Sequence, residues 1–324
     1  ETTSVRDRLL NRRTLIQAGG ATAVAAIASA DRFMVRPHMV SAQVISTIAS
    51  DLSQTGTDFN RGDLPAQGGY SSASAEDGLT VQRGLNGVQF VSNVITSDFP
   101  MTHVGPNWQA SYNGGWFDVE VRLSQDGKKW TQWMPVTIEA FQGEANNPGV
   151  FAALLNGYRA TKMQYRLTFD TRSGPVSIQK MTLTALNSND GPVSQVMVPE
   201  SGSEASAAKY IAKPRVNTRA SWGCDESLRF YSNGQEIWGR EYARWRVFVP
   251  HHTATSNDYY DPKPEVRSIY YYHAVTQGWG DIGYHALVGN NKEVYEGRKG
   301  ADGKVLDYDL MAGDVLQCNA GSFG

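Results

Sequence analysis

The sequence predicts two folded units in one chain. The first is an antiparallel β-sandwich-like domain; the second is an α/β domain with a central sheet and flanking helices. Three observations carry this prediction. Alternation of period two recurs through the middle of the chain, where Val119, Val121 and Leu123 point one way and Asp118, Glu120 and Arg122 the other. Met163, Tyr165, Leu167 and Phe169 repeat it, as do Met181, Leu183 and Ala185. Further on, Val247-Phe248-Val249 is a short apolar run of the kind that forms a strand buried on both faces. A period-3.6 stripe follows it: Val266, Ile269, Tyr270, His273 and Ala274 line one side of a helix.

In chain order, residues 1–30 read as an export signal. Asn11-Arg12-Arg13-Thr14-Leu15-Ile16-Gln17 has the twin-arginine pattern, an alanine-rich apolar segment follows, and Ala28-Ser29-Ala30 fits a cleavage site before Asp31. The apolar segment is far short of the ~20 residues a membrane span needs, so no membrane span is expected and the protein is expected to be exported, to the cell envelope or beyond. Residues 31–80 read as a linker or irregular lead-in, rich in Ser, Gly, Gln and Asp. The sandwich-like domain takes 81–198. Asp126-Gly127 is a turn signal within it, with Trp130 and Trp133 on the next stretch. Trp108 and Trp116 are aromatics that either pack in its core or stack on sugar rings, core packing being the expectation. A Ser/Ala/Glu-rich linker, 199–213, leads to the α/β domain at 214–324.

Within that domain, Pro250 cannot donate to a strand ladder and so closes the apolar run, presenting His251 and His252 at its end. Asp261, Pro262 and Pro264 are helix-start signals and Gly278 a stop. Ala286, Val288, Val294 and Tyr295 flank Gly289-Asn290-Asn291, the composition of a hairpin turn. Neutral imidazole is a good zinc ligand, and a phenol can support an oxyanion or orient a water without being charged. His273, on the apolar stripe, reads as a hydrogen-bonded core histidine.

The blocks Arg219-Ala-Ser-Trp-Gly-Cys-Asp-Glu-Ser227, Pro250-His251-His252-Thr253, Asp281-Ile-Gly-Tyr-His285 and Tyr295-Glu-Gly-Arg298 occur in this order over roughly the last third of the chain. In wording and order they resemble the zinc-dependent N-acetylmuramoyl-L-alanine amidases and the peptidoglycan recognition proteins that share their fold. The resemblance implies an α/β amidase-like fold, Zn2+ as cofactor with His251 as its ligand, and Tyr284 as the catalytic residue beside the metal water. His252 points the other way if the strand geometry continues and reads as a structural or substrate-contact residue, and the resemblance places His285 as a site-lining or hydrogen-bonding residue rather than a ligand. Glu296-Gly297-Arg298 reads as architecture that closes the hairpin and braces a loop. Two departures stand out. Asp314, in Ala312-Gly313-Asp314, stands where the family has a histidine lining the substrate cleft, which changes charge and hydrogen-bond polarity there. The sequence also stops at Gly324, ahead of where the family's second histidine and its cysteine or aspartate ligand lie. The expectation is therefore a C-terminally truncated piece, inactive alone, of an active parent. The stretch from Val119 to Trp133 is similar to an accessory β-domain found ahead of some bacterial amidases.

Net charge is −2 and basic residues are scattered, so no nucleic-acid partner is expected. The two cysteines, Cys224 and Cys318, lack the spacing of a zinc motif and read equally as a disulfide or as free thiols. The implied function is hydrolysis, with peptidoglycan (a muramyl peptide) as substrate, of the amide joining N-acetylmuramic acid to L-alanine of the stem peptide. Two other readings remain: a recognition protein that binds peptidoglycan without cutting it, and a glycan-binding β-domain beside a decayed amidase.

Overall fold

The structure, a computed structural model, describes residues 47–63, 71–144, 147–190, 216–240, 242–244, 250, 252–253, 255, 261–300, 310–312 and 315–319. Two antiparallel sheets dominate it. The eight-stranded sheet comprises β1 (Ile48–Thr55), β2 (Ser71–Ser74), β3 (Gly78–Val81), β6 (His103–Tyr112), β9 (Ile138–Glu144), β10 (Asn147–Ala152), β11 (Leu155–Asn156) and β13 (Val176–Asn187). Its order is β2-β3-β13-β6-β10-β9, with β1 on β13 and β11 on β6. The five-stranded sheet orders β4 (Asn86–Val91), β12 (Lys162–Asp170), β7 (Trp116–Ser124) and β8 (Met134–Pro135), with β5 (Ile95–Thr96) on β12.

Period-two patterning makes one face of each strand apolar, and the two apolar faces close on each other. Phe90, Val119, Val121, Leu123, Met163, Tyr165, Leu167 and Phe169 come from the smaller sheet. Leu79, Val104, Trp108, Ala110, Ile178, Met181, Leu183 and Ala185 come from the larger, all in one buried cluster. Each buried Val, Leu, Ile, Met or Phe side chain among them contributes roughly 1.5–3 kcal/mol. Trp108 lies in this core, its indole N–H donating to the Tyr112 hydroxyl at 2.8 Å. Trp116 is exposed and stacks on Tyr112 at 4.8 Å between ring centroids. At the Asp126-Gly127 turn the Asp126 carboxylate accepts from the Lys128 and Lys129 amides at 2.8 and 2.9 Å, and Gly127 takes the positive φ the turn requires.

The C-terminal part corrects the expected α/β architecture. The described fold is mostly antiparallel β, without a central sheet flanked by helices. After residue 215 there are two small three-stranded sheets. One orders β14 (Val216–Asn217), β17 (Val294–Glu296) and β16 (Ala286–Val288); the other orders β15 (Tyr242–Arg244), β19 (Val315–Asn319) and β18 (Leu310–Ala312). Only the two-residue pairing of β14 with β17 is parallel among the described strands. Helix α1 is a single turn, Arg219–Trp222; α2 spans Lys263–Tyr271 and runs on as a π-helical turn, Tyr272–Thr276. The apolar run Val247 to Val249 lies outside the described residues.

The physical reason for the difference is where α2 finds its partner. Every residue from Val266 to Gln277 is buried, so the helix is covered all round rather than along one stripe. On one side Trp222, Ile282 and Tyr295 pack against it; on the other, Leu154, between β10 and β11, and Leu186 of β13 join the same cluster. The helix thus lies on the outer face of the eight-stranded sheet. Gly105 makes this approach possible, because a Cβ there would come 2.3 Å from the Tyr272 ring. The Tyr272 hydroxyl then donates to the Pro106 carbonyl at 3.1 Å. Ahead of the helix the Asp261 carboxylate accepts from the Lys263 amide at 3.0 Å, and Gly278, at φ +77°, follows its end.

Candidate functional site

The segment Asp281-Ile282-Gly283-Tyr284-His285 is fixed residue by residue. Asp281 is buried, and its Oδ1 accepts from Arg219 Nη1 at 2.9 Å and from the Ile282 amide at 2.8 Å. Its Oδ2 lies 3.3 Å from Arg229 Nε and accepts from the Lys299 amide at 3.1 Å. Arg219 also forks onto Glu226 at 2.8 and 3.1 Å and donates to the Gly297 carbonyl; Arg229 reaches Glu226 and Glu236. Buried charges hold only when paired and hydrogen-bonded on every side, and this network meets that condition. Glu296 accepts from the Arg219 amide at 2.9 Å, and its carbonyl accepts from the Trp222 indole N–H at 2.9 Å. The blocks that lie far apart in sequence around Arg219, Asp281 and Glu296 are therefore one assembly in space.

That assembly presents Tyr284. Ile282 is fully buried and anchors the segment, and the Gly283 amide donates to His273 Nδ1 at 3.1 Å. The Tyr284 carbonyl accepts from the Arg298 amide at 2.7 Å. Gly297 passes so close that a Cβ would lie 2.0 Å from that carbonyl oxygen, so a side chain there is excluded. Arg298 in turn braces the loop ahead of it, its guanidinium 3.4 Å from the Trp238 ring centroid and donating to the Gly239 carbonyl at 2.6 Å.

The half-buried Tyr284 hydroxyl donates to Glu139 Oε1 at 3.3 Å. Glu139 belongs to β9 of the larger sheet, yet its other partners are also C-terminal: His273 Nε2 at 3.0 Å and Gln277 Nε2 at 3.0 Å. Because Nδ1 of His273 accepts from a backbone amide, its proton sits on Nε2 and points at Glu139. Burial alone would raise the Glu139 carboxyl. The hydrogen bond and electrostatic pull of His273, with hydrogen bonds from Gln277 and Tyr284, outweigh it and hold the carboxyl below the usual glutamate value. Burial, then the charge of Glu139 and the hydrogen bond to it, push the Tyr284 phenol well above the usual tyrosine value. Tyr284 is therefore a neutral phenol at physiological pH.

Of the site residues expected from sequence, Tyr284 sits at this cluster, and His285 follows it, exposed, immediately before β16, with its carbonyl accepting from the Gly297 amide at 3.0 Å. His252 is exposed. His251 and Asp314 lie outside the described residues. Among the described residues, no group of three or more His, Cys, Asp or Glu side chains is arranged to hold a metal ion, so these residues alone do not form a zinc site. Cys224 is a buried free thiol, pushed well above the usual cysteine value by burial. Glu139 and Gln277 escaped the sequence reading. Nothing in the local pattern marks them, because their roles arise only when β9 and the π turn meet.

No family model matches the chain. A stretch of 89 residues, 28% of the chain, is 35% identical to "N-acetylmuramoyl-L-alanine amidase" of Homo sapiens, covering 15% of that protein. A stretch of 73 residues, 19% of the chain, is 37% identical to "Peptidoglycan-recognition protein SC1a" of Drosophila melanogaster, covering 38% of it. The chain thus spans well under half the length of these curated relatives. It has a distant, partial relationship to amidases and peptidoglycan recognition proteins. Among solved structures, a "xylan-binding module CBM15" is matched over 43% of this chain and 95% of its own, at 15% identity and TM-score 0.28. CsCBM6-3 from Clostridium stercorarium is matched over 40% and 91%, at 15% identity and TM-score 0.24. Among the described residues, no helix is long and apolar enough to cross a membrane.

Proposed function

We propose that the whole protein is an exported peptidoglycan hydrolase that cleaves the amide between N-acetylmuramic acid and L-alanine of the stem peptide. The observation that carries this reading is the local likeness to the Homo sapiens amidase, 35% identity over 89 residues. Hydrolysis adds water across that amide and releases a lactyl carboxylate and the free amine of the peptide. The neutral phenol of Tyr284, at the end of a rigidly anchored segment, is the group suited to position the water or the developing oxyanion. Zinc dependence enters through His251 and is part of the proposal; a bound zinc ion supplies carbonyl polarisation and a more acidic water. Peptidoglycan binding without cleavage is the second reading, favoured by the likeness to a recognition protein.

The test uses the full-length protein and purified peptidoglycan. His251→Ala should abolish both zinc retention, read by atomic absorption, and release of stem peptide. Tyr284→Phe should lower kcat while zinc content stays at the parental level. A His251→Ala protein that keeps its zinc and its activity ends the metal-amidase reading; a parent that binds peptidoglycan and releases nothing establishes the recognition reading. Export through the twin-arginine pair is part of the same proposal. Replacing Arg12 and Arg13 by lysines should leave uncleaved precursor inside the cell, and unchanged export would refute it.

A further inference from the structure

We infer that His273 is a positioning residue for the Tyr284 segment: Glu139 of the β-sheet unit holds its imidazole as the Nε2–H tautomer, and the bare Nδ1 holds the Gly283 amide. The consequence for the reaction rests on the assignment of Tyr284 made above; the tie itself does not.

Each ring nitrogen faces a partner with a single possible role. A backbone N–H only donates, so Nδ1, 3.1 Å from the Gly283 nitrogen, carries no proton. A neutral imidazole then keeps its proton on Nε2, where Glu139 Oε1 accepts it at 3.0 Å. His273 is 2% exposed, so water does not compete for either bond. Gln277 Nε2 fixes the carboxylate by donating to Oε2 at 3.0 Å, and Gln142 of β9 donates to the Gln277 carbonyl at 3.1 Å. A carboxylate on Nε2–H also pushes electron density into the ring and makes Nδ1 the stronger acceptor. The rings of Trp279 and Tyr284 pack against the imidazole at 4.8 and 5.4 Å between centroids, and the His273 carbonyl accepts from the Trp279 amide at 3.0 Å. Around Gly283 the segment is held by other parts. The Ile282 amide donates to Asp281 Oδ1, the Tyr284 carbonyl accepts from the Arg298 amide, and the His285 carbonyl accepts from the Gly297 amide. Gly283, between them, is held by the ring. Insertion of one extra residue in a helical turn is a common device for aiming side chains at a site, and the π turn Tyr272–Thr276 carries His273 to both partners at once. One buried side chain thus joins a strand of the accessory sheet to the residue before Tyr284, and the tautomer of its ring makes the joint.

In the 324-residue chain labelled with 15N-histidine, long-range 1H–15N spectra at neutral pH should show His273 with a bare Nδ1 and a protonated Nε2. The opposite tautomer, or an averaged mixture of the two, overturns the inference without any variant being made. The Gly283 amide is read separately. Ile282-Gly283 is the one Ile-Gly pair in the sequence, so carbonyl-13C isoleucine combined with 15N-glycine gives it a single cross-peak. His273→Asn sets a side-chain oxygen near the Nδ1 position and can still accept from Gly283. His273→Gln sets an amide nitrogen near the Nε2 position and reaches Glu139 instead. Exchange of the Gly283 amide with solvent should rise about tenfold or more in His273→Gln and about twofold or less in His273→Asn, as expected of one hydrogen bond lost or kept. Glu139→Ala leaves the ring and Gly283 in place and should raise the exchange severalfold. Equal exchange in the two His273 variants, or parental exchange in Glu139→Ala, overturns the inference. In the full-length protein kcat should follow the same order with KM little changed, His273→Gln falling well below His273→Asn. Equal kcat in the two would mark His273 as merely structural and overturn its positioning role. If the parent shows no hydrolysis while the tautomer and the exchange pattern hold, the tie stands and the reaction assignment falls.

Discussion

The eight-stranded sheet has two buried faces, and they are built from different chemistry. Its inner face meets the smaller sheet through Val104, Trp108, Ala110, Ile178, Met181, Leu183 and Ala185, all apolar. Its outer face meets α2 through a mixture of apolar contacts and long-range polar pairs. His103 Nε2 lies 2.7 Å from Glu265 Oε2, both residues buried; Arg267 donates to the Ser188 carbonyl at 2.9 and 2.7 Å; Glu139 gathers His273, Gln277 and Tyr284. Apolar burial is non-directional and supplies stability, whereas buried polar pairs contribute little net energy and fix one arrangement. The inner face therefore holds the sheets together, and the outer face sets where the Tyr284 segment stands.

The largest expected effects come from placing one cut in each face. Leu183→Ala, at a fully buried inner position, should cost about 2–5 kcal/mol of global stability by urea denaturation. Gly105→Ala acts on the outer face, where the added methyl meets the ring of Tyr272, itself fully buried and hydrogen-bonded. Overpacking of this kind costs about 1–3 kcal/mol. Hydrogen exchange should localise the loss to α2 and the π turn, with β7 and β12 amides still protected. Uniform loss of protection in Gly105→Ala would show that the two faces are not separable, and the comparison would break.

The same division explains what could be seen in the sequence. Val119, Val121 and Leu123 mark β7 by alternation because one face of that strand is apolar and the other wet. The period-two signal weakens in β13, where Thr182, Thr184 and Leu186 are buried along with Met181, Leu183 and Ala185. The α2 stripe, Val266 to Ala274, was legible as a helix; its location was not, because periodicity gives one apolar face and this helix is buried on both. Taking it for a flanking helix of a separate central sheet followed from that gap. Around the candidate site, the words Arg219-Ala-Ser-Trp, Asp281-Ile-Gly-Tyr and Glu296-Gly-Arg were visible, but the charge network joining them was not. Glu139 lies 134 positions from His273 and 145 from Tyr284, and no local pattern carries a pairing at such separation.

The smallest expected effect, and the sharpest test of the comparison, is its pH dependence. The folded Glu139 carboxyl sits below the usual glutamate value, so folding favours its ionised form. The stabilisation this confers is fully present above the usual glutamate value and is lost as pH falls through the depressed, folded one. Glu296 runs the other way: burial first, against the pull of the Arg219 amide and guanidinium, raises its carboxyl, so it gains protons on folding and blunts the acid loss of the whole molecule. A raw acid melt therefore mixes opposing signs, and the difference between parent and Glu139→Gln is the quantity to measure. By urea denaturation at a series of pH values, that difference should hold constant from neutrality down to the usual glutamate range and shrink below it. The deficit of Leu183→Ala should stay level across the same range, since no titrating group is removed from the apolar face. A Glu139→Gln deficit that also stays level would mean the outer face is held by packing alone, with its carboxylate as a bystander.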